Sequence, residues 1–268
     1  MRISLNTSNP RWLDRVWAAL IFFTRLPFWR IYQPPQCAYE TVVEHWPLMG
    51  WLTGGVMALT FLVSSFWVSA SVSVVLAMVA RLLLTGALHE DGLADFFDGF
   101  GGGGNDRERI LAIMKDSRIG TFGVLGLIIY ELLFFLLLRD FAVSHYYLVT
   151  ALFIVAADCY AKLIAAQVIQ VLPYARTAST AKNRVEYRQF SLGAAISIFV
   201  QGIIPMAIYL YLTAFANWEW IMFTPGVVMF FLYLMMNRKL GGYTGDCCGA
   251  LFLPVSYTHL TLPTILRV

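Results

Sequence analysis

Polar residues in this chain fall in clusters, separated by apolar runs long enough to cross a lipid bilayer. A bilayer core demands about 20 predominantly apolar residues of a helix that spans it. Runs that reach or approach this length occupy 46–68, 72–88, 119–138, 146–172, 191–215 and 220–236. An earlier stretch, VWAALIFFTRLPFW, meets Arg25 after only about nine apolar residues and suits a short interfacial or re-entrant helix better than a span. No small-residue cleavage site follows it, so it does not read as a secretory signal. The pattern predicts an all-α, polytopic transmembrane helix bundle of about six spans, preceded by that short N-terminal helix.

Composition agrees. Of 268 residues, 59% are hydrophobic and 13% charged, against about 25% charged in soluble domains. The net charge of +3 is too small to serve as a nucleic-acid footprint. Basic residues set the topology. The connections at 25–45, 89–118, 173–190 and 237–249 hold Arg25, Arg30, Arg107, Arg109, Lys115, Arg118, Arg176, Lys182, Arg184, Arg188, Arg238 and Lys239. The alternate connections, 69–71, 139–145 and 216–219, hold only Arg139. The positive-inside rule therefore predicts a cytoplasmic location for the first set.

The sequence LHEDGLADFFDGFGGGGNDRERI, from residue 88, lies on that side. On a helix, Asp91, Asp95 and Asp98 occupy i, i+4 and i+7, within roughly 60° of one another. Three acceptor-only side chains so placed repel unless a cation intervenes. An all-oxygen set completed by water and phosphate suits Mg²⁺ or Mn²⁺ better than zinc. A solvated acidic helix end is the plainer alternative. Gly92 and Gly99 are expected to open room beside the carboxylates. Glu90 points about 100° away from Asp91 and reads as a neighbour of the site or a solvated residue. His89 either orders a carboxylate, acts as a base, or fills an amphipathic face. The glycine run lacks the Lys-Ser/Thr ending of a P-loop, leaving a mobile lid or a plain linker.

Two further polar islands lie on the same side. IMKDSRIGTFG offers Lys115 and Arg118 to phosphate oxygens and Asp116 to a metal; GGYTGDCCGA offers Thr244, Gly245 and Asp246 at a helix mouth. PYARTASTAKNRVEYRQF adds a basic patch that includes Tyr174 and Arg176, suited to anionic lipid or a phosphorylated substrate. Inside the fourth span, Asp158 and Lys162 are one turn apart and read as a functional or a structural ion pair, with Arg81 a further partner for one of these acids. Cys37, Cys159, Cys247 and Cys248 have neither zinc nor disulfide spacing and read as packing residues.

The run VSYTHLTLPT, 255–264, is identified as the translation of a sequencing adapter. Residues 1–253 are accordingly expected to form one integral membrane domain, with 254–268 outside the fold and a further C-terminal span lost by truncation. His259 is no candidate for chemistry.

Taken in order, FFTRLP, LHEDGLADFFDG, IMKDSRIGTFG, PYAR and GGYTGD resemble the cobalamin-5'-phosphate synthases, also called adenosylcobinamide-GDP ribazoletransferases. The resemblance runs from about residue 12 to residue 250. It implies a multi-pass enzyme of the bacterial cell inner membrane, its active site facing the cytoplasm. Such an enzyme joins adenosylcobinamide-GDP to α-ribazole or its 5'-phosphate and releases GMP, with Mg²⁺. On this reading Asp91, Asp95, Asp98, Asp116 and Asp246 are metal ligands. Asp95, Asp98, Lys115 and Arg118 serve catalysis, with Asp98 taking the acceptor's proton. His89, Gly92, Gly99, Arg176, Thr244 and Gly245 bind substrate. Glu90 stands where the family usually has an apolar residue and is not counted as a ligand. The expected partners are the two substrates and the bilayer, not nucleic acid; a homo-oligomer is left open. Two competing readings are a CDP-alcohol phosphotransferase of phospholipid synthesis and a cation-coupled transporter. The transporter is disfavoured because carriers place their acids near the midplane.

Overall fold

The computed structural model describes residues 10–176, 186–213 and 218–265, with side chains as far as 256. Lys182 and Arg184 of the basic patch lie outside the described residues. Along the chain come α1 (Trp12–Phe23), two 3₁₀ runs (Phe28–Arg30 and Gln36–His45), α2 (Trp46–Ser64), α3 (Ala70–Thr85) and α4 (Leu88–Gly102). Then follow α5 (Arg107–Lys115), α6 (Thr121–Ser144), α7 (Tyr147–Ala166), α8 (Val168–Val171), α9 (Leu192–Thr213), α10 (Trp218–Leu240) and α11 (Gly245–Ile265). Among the described residues, β pairing is confined to one isolated bridge between Tyr174 and Tyr243. The fold is an all-α polytopic bundle.

Among the described residues, five segments are long and apolar enough to cross a membrane: Gln36–Ser64, Thr121–Ser144, Tyr147–Val171, Leu192–Thr213 and Trp218–Leu240. The segment expected at 72–88 differs from the others. Its helix stops at Thr85 and the chain turns by 88° into α4. The turn is made by two consecutive left-handed residues, Gly86 at φ +64° and Ala87 at φ +55°. Glycine adopts this conformation freely, whereas alanine does so at a cost of about 1–3 kcal/mol. Arg25 occupies the space a Cβ at Gly86 would need, and its N–H donates to the Leu84 carbonyl at 2.7 Å. The N-terminal segment thus docks on the elbow. At 12 residues, α1 is itself too short to span.

The bundle is organised around α7, which is buried along most of its length. It meets α2 where Gly50 and Gly54 remove side-chain bulk: a Cβ at Gly50 would sit 2.8 Å from the Cα of Cys159. Small residues four apart let membrane helices approach backbone to backbone. At this crossing Lys162 contacts both Asp158 and the Thr53 hydroxyl, and its ammonium lies 4.3 Å from the centre of the Phe252 ring. That network joins α2, α7 and α11 inside the bundle.

Arg81 pairs with a different acid. It reaches Glu90 at 2.9 Å, with both side chains buried, and lies 5.1 Å from the centre of the Phe134 ring. Glu90 is therefore not solvated: its carboxylate ties α3 to α4 across the elbow. Cys159, Cys247 and Cys248 are buried thiols, as packing residues are. The last helix continues past the boundary expected at 253, with Val255 and Ser256 buried within it.

Arg81→Met should destabilise the bundle by about 3–5 kcal/mol, because Glu90 would stay buried without its counter-charge. Adding Glu90→Leu should recover most of that loss. Unfolding of both variants in detergent measures it, and a single variant as stable as the parent would contradict a desolvated pair.

Candidate active site

Three pieces of backbone build one cleft. The first is the start of α4. The second is the start of α11, and the two helices cross in direct backbone contact. A Cβ at Gly92 would meet the Asp246 carbonyl oxygen at 2.9 Å, and one at Gly249 would meet the His89 carbonyl oxygen at 2.6 Å. The third is the extended segment 173–176, paired beside Tyr243. Ala175 N–H donates to Tyr243 O at 2.8 Å, and Tyr243 N–H to Pro173 O at 3.0 Å. Gly242 permits this approach, since a Cβ there would fall 2.4 Å from Pro173 O.

The cleft has a volume of about 120 Å³. Asp91, Arg176, Thr244, Gly245 and Asp246 line it, with His89, Trp46 and Phe23 on the apolar side. Those three rings lie nearly parallel, 5.6–6.2 Å apart, and the Trp46 indole N–H donates to His89 Nε2 at 3.3 Å. His89 is thus a buried neutral wall residue, its Nε2 already accepting a bond. The Arg176 guanidinium donates to the Leu111 carbonyl at 2.9 Å, while its buried Nε finds no partner in the described structure. Tyr174 takes a hydrogen bond from the Gly245 backbone, and burial pushes its phenol up to about 12. It therefore stays protonated at neutral pH.

Other expected residues lie elsewhere. Asp98 is buried, and both its oxygens are engaged: Gly120 N–H donates at 2.6 Å and Gly123 N–H at 2.8 Å. The orphan donors at the start of α6 hold its carboxylate, and it does not line the cleft. Among the described residues no three His, Cys, Asp or Glu side chains converge as a metal group. Asp91 and Asp98 share a helix face but point to different partners. Asp95 is partly exposed, one turn beyond Asp91, and does not line the cleft. Lys115, Asp116 and Arg118 do not line it either. Arg118 folds onto Asp116 at 2.6 Å, and those hydrogen bonds hold the Asp116 carboxyl down at about 2.

The two stripe glycines do not make room for a ligand. Gly92 is filled by the Asp246 backbone, and Gly99 by the Met114 side chain, 2.5 Å from where a Cβ would stand. A donor set of two cleft carboxylates still fits Mg²⁺, which commonly takes one or two carboxylates and completes its shell with phosphate oxygens and water.

The chain resembles known proteins over most of its length. Residues 15–261 match the family model described as Cobalamin-5-phosphate synthase.

The chain belongs to that family.

Among its relatives are proteins named adenosylcobinamide-GDP ribazoletransferase from Shewanella baltica (strain OS185) and Leptospira interrogans. The first is 32% identical over 89% of this chain and 88% of its own. The second is 33% identical over 91% of this chain and 92% of its own. No solved structure matches. Family membership places the chain among the enzymes of cobalamin biosynthesis.

Four of the five stretches that carry the family resemblance meet at the cleft. Phe22 and Phe23 come from the first, His89 and Asp91 from the second, Arg176 from PYAR, and Thr244, Gly245 and Asp246 from the last. IMKDSRIGTFG contributes instead through the Asp98 contacts at Gly120 and Gly123. Sequence reasoning passed over Tyr187 and Trp46, since isolated aromatics are common in a membrane protein. It also missed Arg107 as more than a topological charge. The Arg107 guanidinium donates to Leu240 O at 2.8 Å and Ala175 O at 2.7 Å, strapping α5 over the 173–176 segment.

Asp98→Asn replaces one acceptor oxygen by a donor and should cost about 1–3 kcal/mol, read as a lower midpoint of unfolding. Arg107→Ala should speed hydrogen exchange at the Ala175 amide roughly tenfold or more, since hydrogen bonds from a charged donor contribute about 1.5–3 kcal/mol. Unchanged exchange there would rule out the strap.

Proposed function

We propose that this chain joins adenosylcobinamide-GDP to α-ribazole or its 5'-phosphate and releases GMP, using Mg²⁺ at the cytoplasmic face of a bacterial inner membrane. One observation carries the reading. Asp91 and Asp246 face the same cleft as Arg176. Acids and a cation around one space suit a diphosphate bridged to a divalent ion. The start of α11 opens onto the same space, and a helix N-terminus favours an anion.

Orientation follows from the loops. The described walls of the cleft include Phe22, Val43, Asp91, Tyr174, Tyr187 and Asp246, and the basic connections beside them support a cytoplasmic orientation. Water-soluble substrates would reach it from that side.

In the reaction, the acceptor oxygen forms a bond to the phosphorus that carries the corrinoid arm. The bond from that phosphorus to the GMP oxygen breaks, GMP leaves, and the acceptor's proton passes to a base. Bound Mg²⁺ would neutralise diphosphate charge. Arg176 holds a non-bridging oxygen, and the Gly245 end of α11 orients the phosphate. With Asp98 engaged by backbone donors, Asp91 or Asp246 is the better-placed carboxylate to receive the proton. Phosphoryl transfer asks chiefly for such positioning and charge neutralisation.

Asp91→Asn and Asp246→Asn should each lower Mg²⁺-dependent GMP release by about 10²–10³-fold, with the protein still inserted in membranes. Assay of a purified sample with GDP-activated corrinoid, and with a CDP-alcohol in its place, checks both site and donor. Near-parental turnover in both variants, or preference for the CDP donor, would sink the assignment.

A further inference from the structure

A second, larger groove adjoins the cleft, and the two share Tyr174 and Tyr187. We propose that this groove is the corrinoid subsite: it receives the corrin ring of the donor while the diphosphate enters the inner cleft past the two tyrosines. The inference rests on the donor proposed above.

Three properties of the groove fit a corrinoid. The first is size. The groove has a volume of about 930 Å³ against about 120 Å³ for the cleft, at the upper end of the roughly 300–1,000 Å³ that suits drug-sized ligands. A corrinoid is far larger than a nucleoside. The second is chemistry. A cobinamide periphery carries primary amides, each able to donate and accept. Gln36, Glu40, Glu186, Arg188 and Gln189 line the groove and are all exposed, supplying both donors and acceptors. The third is charge. A cobalt(III) corrin is cationic, and the groove holds two carboxylates against one guanidinium. The inner cleft, with Arg176 and the α11 N-terminus, is furnished for the anionic end of the same molecule.

The framework is held by the backbone. Arg188 N–H donates to Glu40 O at 2.8 Å, joining the 3₁₀ run before α2 to the segment after the basic patch. The Tyr174 and Tyr187 rings meet edge to face with centroids 6.4 Å apart, and Tyr187 also packs edge-on against Phe22. The partition between the compartments is therefore two aromatic rings thick at most, close enough for a short phosphate-bearing arm to pass.

The test compares two donors with full-length protein: adenosylcobinamide-GDP, and a truncated donor carrying only the aminopropanol arm on the guanosine diphosphate. Gln36→Leu/Gln189→Leu and Glu40→Gln/Glu186→Gln each change exposed side chains and leave the Arg188–Glu40 backbone bond in place. Each pair should lower the ratio of kcat/KM for the full donor over the truncated one at least tenfold, chiefly through KM for the full donor. Binding of adenosylcobinamide alone, followed by its visible absorbance, should weaken in parallel. An unchanged ratio with intact parental activity would overturn the subsite while leaving the proposed reaction standing. Absence of GMP release from either donor by the parent protein would overturn both.

Discussion

The backbone contact between α4 and α11 is the constraint on which the site depends. Gly92 meets the Asp246 carbonyl and Gly249 meets the His89 carbonyl, so the two helix starts touch without side chains between them. Any Cβ at either glycine would push the helices apart and separate Asp91 from Asp246. Both acids face one cleft with Arg176, where a bound cation would balance their charge. The GDP-donor chemistry proposed for the chain follows from that arrangement.

Keeping two short helix starts together in a membrane protein requires the rest of the bundle to hold them. The elbow at Gly86 and Ala87 turns α4 away from the line of α3, and the buried Arg81–Glu90 pair locks that angle. On the other side, Lys162 pins α11 through Phe252 while answering Asp158 and Thr53. Charges so deeply placed are costly unless paired. Here they lie at the joints that aim the site, while Arg107 and Arg176 tie α5 to the extended segment from above. Ion pairs and charge-assisted hydrogen bonds in this protein fix geometry between helices as well as neutralise one another.

Much of this was readable in the chain. Five of the six expected spans fall on segments able to cross a membrane, because apolar length is a local property, although Gln36–Ser64 starts before and Thr121–Ser144 ends after its predicted limit. Of the acids picked out by spacing, Asp91 and Asp246 face one cleft. Asp98 shows where the reasoning stops. Helical spacing places it on the same face as Asp91, yet the N–H groups of Gly120 and Gly123, more than twenty residues away in sequence, engage its oxygens. Gly92 and Gly99 look like space for a ligand until the Asp246 backbone and Met114 are seen to fill it.

By itself the sequence determined the all-helical membrane class, the order of the spans, the cationic side and the stretches that carry the family resemblance. These depend on runs and spacings that bilayer thickness and helix pitch convert directly into structure. Only the tertiary structure decided that α3 ends in an 88° elbow, that Glu90 answers Arg81, and which acids share a cavity. The reason is that a carboxylate's role is set by whichever donor reaches it, and the donors here arrive from helices distant in the chain.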